Sequence, residues 1–188
     1  MAAQSTLKNM ALCLTLVCLI CSAVLGVAYA VTLEPVKAAQ AAKTNKAIAK
    51  VLPEFTGDVA EQSVSFEGVE YMYYKTSSGY AIISVTNGFG GALAVMVGIT
   101  SDGKVYNTSV ISHSETPGLG AKCQNDEGFL GQFRNLDPAS TRLAVTKDGG
   151  DIDAITASTI TSRAYTLAVA NAVKVFGTLT NEGGKDNE

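Results

Sequence analysis

The apolar pattern of this chain changes character along its length. Met10 to Val31 is apolar throughout, with no charge between Lys8 and Glu34. That run is about 22 residues long, and about 20 helical residues cross a bilayer's hydrocarbon core. A transmembrane anchor over 10–31, after a short segment 1–9, is the first reading. A cleaved signal peptide is the rival, because Ala28-Tyr29-Ala30 fits an A-x-A cleavage site behind a positive start. The run is longer than a usual signal core, which favours the anchor. Pro35 to Leu52 is then rich in Ala and Lys, with Pro35 at its start and Pro53 just past its end. Proline at those places brackets a helix, so a separate connector helix is predicted within 32–53. Its narrow apolar stripe is Val36, Ala39, Ala42 (or Lys43), Ala47 and Val51.

Strand character follows. Val69 to Lys75 and Tyr80 to Thr86 are short runs bounded by glycine-containing turns, the second ending at Asn87-Gly88-Phe89-Gly90-Gly91. Ala92 to Thr100 is continuously apolar and suits a strand buried on both faces. Ser101-Asp102-Gly103-Lys104 is a hairpin signal, so Val105 to Ser112 should pair back on it. Asp126 to Phe133 reads as a short helix whose Phe129 and Phe133, four apart, share a face that suits core packing or the wall of a binding pocket. A shorter strand is expected at Arg142 to Thr146. The closing helix, Ser162 to Phe176, presents Tyr165, Ala168 with Val169, Ala172, and Val175 with Phe176 along one side. The fold class is α+β: a mostly antiparallel sheet with packed helices, in one domain over 54–177. The polar, Gly-containing tail 178–188 is expected to be disordered.

Charge and composition narrow the function. A net charge of −3 and an isoelectric point near 5.2 give nothing for nucleic acid or an anionic membrane face to bind. Cys13, Cys18 and Cys21 lie in the apolar leader, leaving Cys123 alone in the domain as a small buried filler. Intradomain disulfides are therefore excluded. His113 is the sole histidine, and the spacing offers no metal site.

The candidate chemistry lies in Asp153-Ala154-Ile155-Thr156-Ala157-Ser158-Thr159-Ile160-Thr161-Ser162-Arg163. Five hydroxyl residues fall within 156–163, directly ahead of the closing helix. The first turn of a helix has unpaired N–H groups and a dipole that favours negative charge, which suits phosphate. An ordinary N-cap at Thr161 or Ser162 fits the same residues. A second segment, His113-Ser114-Glu115-Thr116-Pro117-Gly118-Leu119-Gly120-Ala121-Lys122, holds a tight Pro-Gly turn and two glycines that let the backbone approach a partner. It also suits a plain strand-to-helix loop.

The first stretch resembles the D-x-x-[ST]-G-A-T signature of flavin-transferase targets, with Asp153, Thr156 and Thr159 on its Asp, Ser/Thr and final Thr. Ala157 stands where Gly is usual and Ser158 where Ala is usual. The second resembles the E-T-P-G-L-G loop of the same FMN-carrying domains, about 40 residues earlier and in the family's order. Together with the anchor and the length, the pattern is similar to the G subunit of the Rnf electron-transport complex. The C subunit of sodium-translocating NADH:quinone reductase is a close relative of that family.

The resemblance implies a covalent FMN, joined through its phosphate to Thr159. Thr156, Ser158, Thr161 and Ser162 would surround the phosphate, and Glu115, Thr116, Gly118, Leu119 and Gly120 the flavin ring. Glu115 would order its loop by accepting backbone N–H bonds, and Lys122 would lie near the phosphate. The resemblance further implies maturation by a flavin transferase and electron relay among other subunits of a membrane complex, with no catalytic residue and no substrate turnover of its own. That complex would couple ferredoxin and NAD to ion translocation. A count of basic residues (Lys8 before the anchor; Lys37, Lys43, Lys46 and Lys50 after it) puts the domain in the cytoplasm. The resemblance puts it outside, on a single-pass anchor in the bacterial inner membrane. Two alternatives stay open: an FMN subunit of another respiratory complex such as the quinone reductase, and a non-redox module on a membrane stalk.

Overall fold

The computed structural model describes residues 7–54 and 59–182. Residues 1–6 of the N-terminal segment and 183–188 of the tail lie outside the described residues. The chain divides into two compact units between Lys43 and Thr44.

The first helix, α1, runs without interruption over Leu7–Val51, 45 residues, with Pro35 inside it. The anchor and the connector predicted as separate elements are therefore one helix. Proline removes one backbone bond and crowds the preceding turn. Around Pro35 that loss is local, because Thr32-Leu33-Glu34 and Val36-Lys37-Ala38-Ala39 contain no further breaker. The apolar part of α1 is long enough to cross a membrane, and its large side chains, such as Leu12, Leu19 and Leu25, are exposed.

The second unit is built on five strands: β1 Ala60–Phe66, β2 Val69–Thr76, β3 Gly79–Asn87, β4 Ala92–Thr100 and β5 Val105–His113. They pair antiparallel in the order β1-β2-β3-β4-β5. Four of them lie where the apolar runs placed them. β1 was not anticipated, because Ala60-Glu61-Gln62-Ser63-Val64-Ser65-Phe66 has only a weak alternation. It forms by pairing along β2, with Val64 opposite Tyr71.

Every residue from Leu93 to Ile99 is buried, and the two faces of β4 show why. Leu93, Val95, Val97 and Ile99 join the main core, while Met96 joins a second cluster with Tyr74, Ala81 and the end of α1: Ala47, Ile48, Val51 and Leu52. Gly98 allows this approach, since a Cβ there would collide with the Val51 carbonyl. Asn107 also donates to the Lys50 carbonyl at 3.0 Å.

The main core is closed by α3, Thr159–Glu182. Its buried face is Tyr165, Ala168, Val169, Ala172, Val175 and Phe176, the face expected from periodicity. The helix starts three residues before the predicted Ser162 and continues through Glu182, so residues 178–182 are helical rather than disordered. Leu179 extends the apolar face, and the Thr180 hydroxyl bonds the Phe176 carbonyl at 3.1 Å. The short helix α2, Glu127–Gly131, is capped by Asp126, whose Oδ1 accepts the Phe129 N–H at 3.0 Å. Phe129 and Phe133 pack on Tyr165, each at 5.1 Å between ring centroids.

No strand forms at Arg142–Thr146. Val145 makes a single bridge to Ile152, and Thr146–Asp148 coils into a 3₁₀ turn. Gly149, at φ +78°, reverses the chain at once, leaving too little extended length for a ladder.

Candidate functional site

Three segments meet at the N-terminal end of α3: the turn after β3, the loop after β5, and the residues leading into the helix. Between them lies a cleft of about 350 Å³, lined by Phe89, Glu115, Thr116, Leu119, Gly120, Ala157, Ser158, Thr159, Ile160 and Thr161. Its size falls within the ~300–1,000 Å³ usual for small-molecule sites.

Glu115 holds the three segments together. It is buried, with Oε1 accepting the Gly90 N–H at 3.4 Å and Oε2 accepting the Thr161 hydroxyl at 2.8 Å. A Cβ at either Gly88 or Gly120 would collide with this carboxylate. The expected backbone N–H bond is present, but it comes from the neighbouring turn, so Glu115 ties loops together instead of ordering only its own. His113 is no acid–base partner for it; its Nδ1 accepts the Glu115 backbone N–H at 3.2 Å.

The hydroxyl-rich stretch divides. Ser162 is buried, accepting the Ile155 N–H at 3.0 Å and donating to the Ser158 carbonyl at 3.0 Å. It closes the turn ahead of the helix and does not line the cleft. Thr156 is exposed on a separate concavity with Asp126, Gln132 and Asp153. The Asp153 backbone is fixed there by Gln132, which accepts its N–H at 2.7 Å and donates to its carbonyl at 3.1 Å. Ser158 is buried at the cleft wall with its hydroxyl unpartnered. Thr159, the first residue of α3, is half-buried, and its Oγ1 accepts from Lys147 Nζ at 3.4 Å.

Seven of the ten residues expected at the site thus line one cleft: Glu115, Thr116, Leu119, Gly120, Ser158, Thr159 and Thr161. Thr156, Ser162 and Gly118 do not; Gly118, at φ +77°, forms the tip of its turn. Lys122 does not line the cleft either. The sequence reading missed Phe89, Ala157, Ile160 and Lys147. Phe89 had a signal, as a large aromatic alone in a glycine turn; the structure leaves it 69% exposed. Lys147 had none, because only the folding of 146–150 brings it to Thr159.

Electrostatics around the cleft follow from these contacts. The Arg163 guanidinium holds the Asp148 carboxyl below its ordinary range through bonds of 2.6 and 2.7 Å. Burial, reinforced by the Glu115 charge, pushes the Cys123 thiol up to about 11, so it is protonated and inert at neutral pH. Among the described residues no His, Cys, Asp and Glu cluster could hold a metal.

The family defined as the FMN-binding domain matches the chain over residues 88–174, which enclose every cleft-lining residue. The G subunit of an ion-translocating oxidoreductase complex from Cereibacter sphaeroides is 33% identical over 181 residues, covering 88% of this chain and 82% of the relative. The chain belongs to this G-subunit family. The corresponding G subunit from Methanosarcina acetivorans is 36% identical over 164 residues, covering 82% of this chain and 86% of its own. The G subunit of a proton-translocating ferredoxin:NAD(+) oxidoreductase complex from Clostridium ljungdahlii is 44% identical over 109 residues, 56% of each chain.

The residues present suit the flavin nucleotide that an FMN-binding domain takes. Phe89, Leu119 and Ile160 give the cleft an exposed apolar surface for a flat ring system. The open N–H groups of the first turn of α3 and the orphaned Ser158 hydroxyl supply donors for a phosphate.

Proposed function

We propose that this chain is a membrane-anchored electron relay whose FMN is bonded covalently to Thr159. One observation carries the choice of residue: of the five hydroxyl residues in 156–163, only Thr159 both lines the cleft and is not buried. Ser158 and Thr161 are buried, Thr161 is bound to Glu115, Ser162 closes the preceding turn, and Thr156 faces elsewhere. The Thr159 oxygen, in this reading, is the nucleophile toward FAD on a flavin transferase. Its O–H bond breaks, an O–P bond forms, AMP leaves with cleavage of the pyrophosphate bond, and the proton passes to water. No electron is transferred in that step.

FMN supplies the redox chemistry, accepting and releasing electrons. The chain's part is to hold it. Glu115 fixes the three segments that frame the cleft, and the first turn of α3 faces the phosphate with its dipole. A covalent tether keeps the flavin on the protein outside the cytoplasm, where free nucleotide is dilute. This favours an extracytoplasmic domain on the α1 anchor in the bacterial inner membrane. Other subunits of an ion-translocating complex, reached in part through the exposed apolar surface of α1, would deliver and remove the electrons. The relatives' names support that assignment, and this chain would turn over no metabolite alone.

The test is flavin fluorescence of the denatured full-length chain from cells that contain a flavin transferase. A band that fluoresces, and goes dark in Thr159→Ala, is expected. A dark wild-type band, or a Thr159→Ala band of undiminished brightness, overturns the assignment.

A further inference from the structure

Lys147 stands next to the reading above, and the inference rests on it. Its ammonium contacts the Thr159 oxygen at 3.4 Å, although the two are twelve positions apart in the chain. The 3₁₀ turn Thr146–Asp148 that carries it is fixed at several points. Val145 is buried and bridged to Ile152, and the Gly150 N–H bonds the Val145 carbonyl at 3.1 Å. Gly150 lies so close to the Ala144 carbonyl that a Cβ would not fit. Asp148 then binds the turn directly to α3 through both oxygens, at 2.6 and 2.7 Å from Arg163. Arg163, the cation nearest Thr159 in sequence, is thereby committed to Asp148. Lys147 is left with its charge at the threonine hydroxyl.

We propose that Lys147 is the counter-charge for the phosphoryl group at Thr159. A phosphodiester on that oxygen carries one negative charge, and the phosphorus would be bonded to the very atom the ammonium contacts. The unpartnered Ser158 hydroxyl and the open N–H groups of the α3 first turn are neutral donors. Lys147 adds the single full positive charge. It lowers the cost of bringing the doubly charged pyrophosphate of FAD to Thr159, and it remains paired with the diester afterwards. The Asp148–Arg163 pair is its support, since it holds the turn in place and keeps the competing cation occupied.

The experiment uses the detergent-solubilised full-length chain, a purified flavin transferase and FAD, with covalent flavin followed over time by in-gel fluorescence. Lys147→Met should slow attachment by about tenfold or more, the range expected for losing one charge-assisted contact. Lys147→Arg should restore most of the rate. Added salt should slow the wild type and leave Lys147→Met nearly unchanged. Lys147 is exposed, so the melting temperature of Lys147→Met should match the wild type. On fully labelled samples, the phosphorus NMR signal of the diester should differ between wild type and Lys147→Met. An attachment rate in Lys147→Met within twofold of wild type, or identical phosphorus signals, overturns the counter-charge while leaving Thr159 as the acceptor. Equal slowing in Lys147→Met and Lys147→Arg also overturns it. A wild-type chain that takes up no flavin removes the acceptor assignment itself and this inference with it.

Discussion

The two ends of the stretch 153–163 are made of the same kinds of residue and end in different surroundings. At Asp153–Thr156 the backbone is pinned by Gln132, and the Thr156 hydroxyl is exposed on a concavity away from the cleft. At Ser158–Ser162 the chain enters α3, and three hydroxyls are buried while Thr159 remains half open. Both ends would pass as phosphate ligands by residue type. What separates them is the start of the helix, which places residues 158–161 against the Glu115 loop. A hydroxyl's chemistry here is set by what surrounds its oxygen, and the sequence pattern counts oxygens without showing their surroundings.

The sharpest way to break this contrast is to exchange the two threonines as flavin acceptors. Thr159→Ala should abolish covalent fluorescence, whereas Thr156→Ala should keep it near the wild-type level. Peptide mass spectrometry of the labelled chain should find the FMN mass on Thr159. Modification of Thr156 instead would mean that the end facing away from the cleft carries the chemistry.

Glu115 comes next in size. Glu115→Ala leaves the buried Thr161 hydroxyl without its acceptor and removes the part-buried bond from the Gly90 N–H. Such a loss costs about 2–4 kcal/mol, or roughly 5–15 °C in melting temperature for a chain of this size. Glu115→Gln, which keeps the shape and one acceptor, should lose less than half of that. Thermal unfolding of the two variants checks the order. If Glu115→Ala melts with the wild type, the three segments are held by something other than the carboxylate.

How far the site was legible depends on how local its causes are. The α3 face and the double burial of β4 were readable, because periodicity and run length are properties of adjacent residues. The Asp102-Gly103 hairpin was readable for the same reason, with Gly103 taking the positive φ that the turn requires. β1 was not, since Glu61, Gln62 and Ser63 extend only because β2 offers them a partner. Pro35 was read as a start, and the helix formers on both sides of it carried the helix through. In the site, Glu115 and Thr161 were both singled out, but their contact over 46 residues could not be read from either motif. Lys147 depended on a 3₁₀ turn and a reversal at Gly149, where only a strand over Arg142 to Thr146 was expected.

Ser162 tests whether the closed turn matters for the half that faces the cleft. Its hydroxyl accepts the Ile155 N–H and donates to the Ser158 carbonyl. Ser162→Ala should cost about 1–2 kcal/mol, the usual penalty for losing a side-chain bond at a helix start. Because that turn presents Thr159, slower flavin attachment should accompany the loss. Unchanged attachment with lowered stability would separate the turn from the acceptor.

The smallest effect lies at the hinge between the two halves. Ala157 sits at φ +62°, in the left-handed region, where the resembling signature has glycine. For an L-residue that conformation costs about 1–2 kcal/mol, while glycine gives back about 0.5–1 kcal/mol through its freer unfolded chain. Ala157→Gly should therefore stabilise the domain by about 0.5–1 kcal/mol, a rise of roughly 1–4 °C. Ala154, three residues earlier and without a positive φ, is the internal control: Ala154→Gly should lower stability by about 0.5–1 kcal/mol. Opposite signs at the two alanines would show that the strain belongs to the corner where the chain turns into α3. The same sign at both would mean that nothing at 157 asks for glycine. With the turn relaxed, flavin attachment in Ala157→Gly should be at least as fast as in the wild type, since the corner then holds its geometry without working against its own side chain.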